Sequence, residues 1–453
     1  MAKDASQRMG EVEISLLERA PESVVDPSLE RIEALVRMLG DPHRGFPVIH
    51  LAGTNGKTST ARMIDSVLRS FGLRTGLFTS PHLRHLTERI QLSGEPISPE
   101  AFVRAFDDVA PYLAMVDHRF RRSGTLGERL SMFEVMTAMA FSAFAEAPVD
   151  VAVIECGMGG TWDATNVVHP AVTVVTPIGV DHVDYLGETI SSIAEEKAGI
   201  LKADVPAVFA HQVHPAAAVL METCVQLGVR PVREGLEFGV AERVLAVGGQ
   251  QIAIDGLGGR YDEIFLPLHG AHQASNAAVA LAAAETFLGG GRALLNPENV
   301  RSGFAATKSP GRIEPLRSGP TVIVDAAHNP HGAQALAAAV GESFDFIRVV
   351  GVVSVMEGKD ARGIIEAVEP VFDELIVTEN SSPRSMLATD LGEIAASVFG
   401  EDRVTTVAAL PIAVDDALER ADELIVHGSV GVVVFGSVVT VADVRDYLGS
   451  DVG

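Results

Sequence analysis

Between Pro47 and Leu83 the chain runs an apolar segment, a glycine-rich turn, a helical pattern, a second apolar segment and then Thr79-Ser80-Pro81-His82-Leu83. That order is what a strand, a turn, a helix and a second parallel strand require, so it commits this part of the chain to an α/β fold. Val48-Ile49-His50-Leu51 reads as the first strand, and Met63, Ile64, Val67, Leu68 and Phe71 recur at helical spacing after the turn. The turn itself, Gly53-Thr54-Asn55-Gly56-Lys57-Thr58-Ser59, has the make-up of a phosphate-binding loop. Gly56 lets successive backbone N–H groups point at one anion, Lys57 adds a mobile cation, and a following hydroxyl can reach a metal on the phosphate. A nucleoside triphosphate is the natural guest. The common GxxxxGK[ST] spacing would put its first glycine where Leu51 stands, so an ordinary glycine turn between strand and helix is the competing reading.

Bulk properties narrow the classes of function. A chain of 453 residues that is 47% hydrophobic can bury substantial cores, in about two to three domains. A formal charge of −25 argues against a nucleic-acid or anionic-membrane surface, because both depend on excess Lys and Arg. Cys156 and Cys224 are too few for a disulfide framework and fit no zinc or CxxC pattern, which points to a reduced, cytoplasmic setting. Met1 to Ser6 lacks the apolar core of a signal peptide, and no run of about eighteen apolar residues free of charge occurs, so a soluble protein is expected.

Further along, the residues with chemical potential fall at strand ends, where open α/β sheets bind ligands. Thr75 to Thr79 is the second strand, which places Ser80 at its carboxyl end, either as a ligand or as a simple cap. Residues 87 to 98 read as a surface loop with a short strand, and helices are expected over about 99–116 and 131–146. The connection from Arg119 to Arg129 is polar and glycine-containing and is expected to be mobile. Val149 to Glu155 is an apolar strand ending on a carboxylate, followed by Gly157, Gly159 and Gly160. Glu155 is either a metal ligand beside a phosphate or a solvated strand end; the glycines favour close backbone approach to a ligand. His182 follows the strand Ala171–Thr176, and Lys197 lies on a helix over about 190–201 beside Glu195 and Glu196. Taken singly, the histidine reads as structural and the lysine as solvated. The stretch 206–269 mixes β and αβ signals and reads as scaffold, before an alanine-rich helix, Ala277–Leu288, with an amide at Asn276. A boundary is expected near Lys308-Ser309-Pro310-Gly311, after which strands around 321–325, 347–353, 374–378 and 431–435 alternate with helical patterns. Asp325-Ala326-Ala327-His328-Asn329-Pro330 ends the first of these, and functional strand edges in both domains suggest a site in the cleft between them.

Eight motifs in order, Gly53 to Lys57, Thr79 to Leu83, Gly159-Gly160 with Asp163 to Asn166, Asp181-His182, Glu196 to Ile200, His272-Gln273 with Asn276-Ala277, Pro310 to Arg312, and Asp325 with His328 to Pro330, make the chain resemble the folylpolyglutamate synthase and dihydrofolate synthase family of the Mur ligase superfamily. The resemblance implies a phosphate-loop NTPase domain of the Mur ligase central type over 1–309 and a smaller Rossmann-like C-terminal domain over 310–453. It implies ATP-dependent ligation of L-glutamate to dihydropteroate, to reduced folates or to both, through an acyl phosphate, with ATP, two Mg²⁺ and a monovalent cation as cofactors, in a cytoplasmic monomer.

By that resemblance Asn55, Gly56, Lys57 and Thr58 would hold the triphosphate, joined by Asn276, Arg312 and Asp325. Ser80 and Glu155 would bind a first Mg²⁺ and His182 a second. Lys57, Lys197 and His328 would carry the chemistry, Lys197 matching a lysine that is carbamylated in the family and His328 one near the incoming glutamate. Ser131, Phe133, Trp162, Asp163 and Ala164 fall where the family binds the pterin substrate. Thr58 stands where the family often has Gly, Thr161-Trp162 where it usually has Arg-Leu, and Met356 to Asp360 departs from its Asp-Lys-Asp run. A cell-wall Mur ligase would need a further amino-terminal domain, and only about 45 residues precede the first strand, fewer than such a domain takes. A nucleotide-dependent binding protein would need neither Lys197 nor the Asp325–His328 edge.

Overall fold

The computed structural model describes residues 2–21, 26–121, 129–424 and 429–449. The chain divides into two compact units, one of Met1–Glu242, Ile252–Phe265 and Ser275–Thr307, the other of Arg243–Gln251, Leu266–Ala274 and Lys308–Gly453. The first is built on an eight-stranded sheet. In spatial order its strands are Glu95–Pro96, Ile90–Leu92, Thr75–Phe78, Val151–Glu155, Val48–Ala52, Val172–Val175, Ala207–Phe209 and Val232–Arg233. From Thr75–Phe78 onward neighbours run parallel, and the register sets Leu51 beside Glu155 and Phe78 beside Ile154. The central strands are buried along their whole length, which is why Val48–Ala52 and Val151–Glu155, apart from His50 and the terminal Glu155, are apolar with no alternation.

Helix Lys57–Ser70 crosses from the first strand and packs against helix Pro297–Ala305, where Ser66 Oγ donates to Gly303 O at 2.6 Å. The backbones meet so closely that a Cβ on Gly303 would lie 2.7 Å from Val67 Cα. On the other face, helices Pro99–Phe120 and Met132–Glu146 form the main core with helix Glu30–Met38 and an amino-terminal helix, Ala2–Leu17, whose Val12 and Leu16 are fully buried. Met132–Glu146 is apolar on nearly every side, as a helix enclosed by others must be.

Several expectations shift. Within 87–98 the expected short strand is Ile90–Leu92, paired antiparallel with Thr75–Phe78, but the segment is not all surface: Arg89, Ile90 and Gln91 are buried. The first long helix continues to Phe120, the Lys197 helix spans Ile190–Ala198, and the alanine-rich helix begins earlier, at Ala271. Of the connection 119–129 expected to be mobile, residues 122–128 lie outside the described residues. The scaffold stretch holds helix His214–Leu227 and a three-stranded sheet of Arg260–Leu266, Gly249–Asp255 and Gly239–Ala246.

The second unit carries a six-stranded sheet in the order Glu314–Ser318, Thr321–Asp325, Val430–Phe435, Arg348–Val353, Glu374–Glu379, Val404–Ala409. Only the Glu314–Ser318 edge is antiparallel; the rest is a parallel sheet with helices between its strands. The four strands read from the sequence are present, and the two edge strands were not read. Helices Pro330–Ser343, Ala361–Val368 and Ala388–Phe399 supply the apolar core.

Candidate active site

The strand Val48–Ala52 releases the chain into a loop that the next parallel strand holds in place. Thr54 N and Asn55 N donate to Pro177 O at 3.0 and 3.3 Å, and the Thr54 hydroxyl bonds Gly179 at 3.0 Å. Gly53 presses on Thr176, where a Cβ would come within 1.9 Å of its Oγ1. Gly56 adopts φ 82°, a left-handed conformation that turns the chain into helix Lys57–Ser70, and a Cβ there would lie 2.6 Å from Asn276 Oδ1. Asn276 is thereby brought onto the loop, 220 positions later in the chain. The helix amino terminus and the loop together present backbone donors suited to an anion.

Two lysines converge behind this loop. Lys57 Nζ donates to Gly53 O at 3.1 Å and Thr54 O at 3.3 Å, while Lys197 Nζ donates to the same Gly53 O at 2.9 Å. Lys197 is buried, not solvated, and burial first, then the Lys57 charge, lower its pKa to about 7. Its helix ends against the glycine run: a Cβ on Gly160 would meet Glu196 O at 2.6 Å, and Thr161 N donates to that carbonyl at 3.0 Å. Gly160 is what allows the 157–161 turn to lie on the Lys197 helix.

Across the loop, Glu155 ends its strand buried. The Thr58 hydroxyl lies 2.9 Å from both of its carboxylate oxygens, and Ser80 N donates to it at 3.4 Å. One carboxylate and two hydroxyl residues are hard oxygen donors, which suits Mg²⁺, an ion that takes few protein ligands and fills its octahedron with phosphate and water. The hydroxyl after Lys57 thus meets the carboxylate directly, whereas Ser80 meets it through its backbone N–H. His182 is exposed, sits at φ 51° before the short helix Val183–Leu186, and has Nε2 3.8 Å from Asp181 Oδ2. Among the described residues no three His, Cys, Asp or Glu side chains cluster as a metal cage.

The residues assigned to the pterin side are placed by packing. Ser131 caps helix Met132–Glu146, accepting from Glu134 N at 3.2 Å. Phe133 rests on Phe78 with ring centroids 5.7 Å apart and on Gly157, whose Cβ would be 2.7 Å from the ring. Gly157, against which it rests, lies two residues beyond Glu155 along the chain. Asp163 is engaged locally: it accepts from Met158 N at 3.0 Å, Thr165 N at 2.9 Å and Thr165 Oγ1 at 2.5 Å, and burial raises its pKa. Ala164 is buried behind it, and half-buried Trp162 donates its backbone N–H to Glu196 Oε1 at 3.4 Å. The backbone-capping use of Asp163 was legible from the Asp-x-Thr pattern and was not read.

In the second unit Asp325 ends its strand with Oδ2 accepting from Ile313 N at 2.9 Å and Oδ1 from Ala327 N at 2.8 Å. Burial raises its pKa and Arg312 opposes the rise. The Gly311–Ile313 turn, with Gly311 at φ 71° and Ile313 at φ 46°, is tied to this strand end by Ala326 N donating to Gly311 O at 2.9 Å. Arg312, Asp325 and His328 are brought together. His328 Nδ1 is 2.9 Å from Ala326 O; a carbonyl only accepts, so Nδ1 carries the proton and Nε2 of the neutral ring is an acceptor. Asn329 caps helix Pro330–Ser343, and Asp360, in the unassigned 356–360 segment, caps Ala361–Val368.

The middle-domain model of the Mur ligases matches residues 112–284 and the Mur ligase glutamate ligase domain matches 311–438. The dihydrofolate synthase/folylpolyglutamate synthase of Mycobacterium tuberculosis is 49% identical over 97% of this chain and 94% of that protein. The chain belongs to the dihydrofolate synthase/folylpolyglutamate synthase family. The corresponding protein of Escherichia coli is 31% identical over 92% of each chain. A structure of Mycobacterium tuberculosis folylpolyglutamate synthase complexed with ADP superposes with a TM-score of 0.94 at 48% identity, covering 99% of this chain and all of that one. A folylpolyglutamate synthase complex with AMPPCP and folate gives 0.83 at 30% identity, over 97% and 99% of the two chains. The expected family and the expected phosphate-loop and C-terminal domain classes are therefore borne out, and membership favours ligation over a nucleotide-dependent binding protein.

Proposed function

We propose that the protein joins L-glutamate to dihydropteroate, to reduced folates or to both, at the expense of ATP. The observation that carries this reading is the meeting of Lys57 and Lys197 on Gly53 O, opposite Thr58 and Ser80 on Glu155. Such a site offers cationic and backbone donors to a triphosphate on one side and hard oxygens on the other.

In the proposed reaction the acceptor carboxylate attacks the γ-phosphate, ADP leaves, and the glutamate amine displaces phosphate from the acyl phosphate. Asn55 to Thr58 and Asn276 would hold the nucleotide, and the family pattern assigns Arg312 and Asp325 to it as well. Thr58, Ser80 and Glu155 would hold Mg²⁺, which neutralises phosphate charge when bound; His182 is proposed for a second ion. His328 offers Nε2 to the proton that the incoming amine must lose. With a pKa of about 7, the Lys197 amine is substantially neutral near pH 7 and able to add to CO₂, releasing one proton and leaving a carbamate anion. That change would replace a cation facing Lys57 by an oxygen ligand. Phe133, Ser131, Trp162, Asp163 and Ala164 are proposed for the acceptor side, the last three through the shape of their turn. Among the described residues no helix is long and apolar enough to cross a membrane. We place the enzyme in the cytoplasm as a monomer over domains 1–309 and 310–453, with its buried free thiols as support.

Phosphate release in the presence of ATP, Mg²⁺ and glutamate, with dihydropteroate and a reduced folate supplied in parallel, tests the assignment. Stimulation by one or both is expected. If neither stimulates, the folate reading fails.

A further inference from the structure

The segment Leu130–Met132 carries more buried charge than its length warrants. Leu130 N donates to Asp117 Oδ1 at 2.9 Å, and Leu130 O accepts from Arg19 Nη1 at 2.9 Å. Arg19 pairs in turn with Asp117 at 3.4 Å. One residue on, Ser131 N donates to Glu134 Oε2 at 2.7 Å, and Glu134 Oε1 accepts from Arg31 Nε at 3.1 Å. Met132 N donates to Ala20 O at 3.0 Å. Arg19, Arg31, Asp117 and Glu134 all have side chains no more than 7% exposed. These groups come from four places: the chain after the amino-terminal helix, helix Glu30–Met38, helix Pro99–Phe120 and the helix that Ser131 itself caps.

Buried ion pairs are poor stabilisers, because desolvating both ions offsets most of their attraction. Burial is the largest influence on Glu134 and raises its carboxyl pKa, while Arg31 and the Ser131 N–H act against the rise. What two such pairs do well is fix a backbone in one arrangement, since any displaced position leaves a charge without its partner. The backbone so fixed leads directly into Phe133, which lies on Gly157 and Phe78.

We propose that Arg19–Asp117 and Arg31–Glu134 are positioning pairs for acceptor binding, holding Leu130–Met132 so that Ser131 and Phe133 present a fixed face to the substrate that receives glutamate. The inference rests on the acceptor-side reading of Ser131 and Phe133. The four charged residues touch no substrate; they act through the segment they hold.

Steady-state kinetics with each substrate varied in turn test this on Glu134→Leu and Asp117→Leu, beside the conservative Glu134→Gln and Asp117→Asn. Asp117→Leu leaves Arg19 its bond to Leu130 O but not this carboxylate, and Glu134→Leu leaves Arg31 to Asp26, so Arg31→Met with Glu134→Leu removes one whole pair as the control for folding. The expected result is an acceptor KM raised by about tenfold in the leucine and paired variants, because small misplacements of a binding surface are costly. The KM for ATP stays within about twofold, and Gln and Asn recover most of the loss by still accepting from Ser131 N and Leu130 N. Equal changes in all three KM values, or an unchanged acceptor KM, overturn the proposal. Phe133→Leu separates the two ways it can fail. If Phe133→Leu raises the acceptor KM while the pair variants do not, the positioning role alone is wrong; if neither does, the acceptor-side reading of the segment is wrong.

Discussion

Replacing Lys197 by Met should make the first unit more stable while abolishing ligation. Lys197 is 4% exposed and its pKa stands at about 7, against the ordinary lysine value of 10.5. That gap corresponds to about 5 kcal/mol between the charged and neutral forms. The folded pKa lies below the unfolded one, so folding strips or strains a proton that the unfolded chain holds. The cost is fully present below pH 7, shrinks by about 1.4 kcal/mol per unit as the pH climbs past 7, and vanishes near 10.5. Methionine fills similar volume without the charge, and it forfeits a hydrogen bond to Gly53 O worth about 1 kcal/mol. Lys57 keeps that carbonyl satisfied at 3.1 Å. The variant should therefore gain on the order of 4 kcal/mol at pH 6 and clearly less at pH 9. Trp162 is the single tryptophan and lies beside Glu196 in the same unit, so urea unfolding followed by its fluorescence reports the relevant transition. In CO₂-free buffer a gain that is equal at pH 6 and pH 9, or a loss at both, refutes the buried-amine argument. Added bicarbonate should stabilise the parent and leave Lys197→Met unchanged, because only the parent can form the carbamate.

Gly56→Ala forces φ 82° on a residue with a Cβ placed 2.6 Å from Asn276 Oδ1, so affinity for a non-hydrolysable ATP analogue should fall at least about tenfold in calorimetry. Thr58→Val removes the hydroxyl held 2.9 Å from both Glu155 oxygens; the Mg²⁺ concentration for half-maximal activity should rise severalfold, and an unchanged Mg²⁺ titration would count against the proposed metal site. Tyr261→Phe should cost about 1–3 kcal/mol in urea unfolding with every KM retained, since the buried hydroxyl joins Glu285 Oε1 at 2.9 Å to Leu295 N at 2.8 Å.

What was legible in the sequence is what is local. Val48–Ala52, Gly56 and the helix after Lys57 follow from a buried strand, a positive-φ glycine and a 3.6-residue period, each contained in a few residues. Glu155 at a strand end was legible for the same reason. Lys197 was not: beside Glu195 and Glu196 it looks solvated, and only the fold, by carrying the chain back across 144 positions to Gly53, buries it. The short strand expected within 87–98 is Ile90–Leu92, but its burial was missed, because Arg89 and Gln91 look solvated and Arg89 instead bonds His82 inside the structure. The pairs at Asp117 and Glu134 were missed as well, although Ser131-x-x-Glu134 is a capping-box spacing that announces a helix start and a buried carboxylate partner.

A chain with a formal charge of −25 repels free phosphate at long range, so the attraction at the loop has to be made locally. Lys57 and the Lys197 amine share Gly53 O, and Lys57 brings to that place a positive charge that an anion neutralises. Glu155 works in the opposite sense: a triphosphate brought near a buried carboxylate meets repulsion unless a cation stands between them. An anion alone satisfies Lys57 and offends Glu155, and a cation alone does the reverse. The arrangement is therefore complementary to a metal–nucleotide pair taken together, and this makes the electrostatics of the loop selective where its glycine spacing is not.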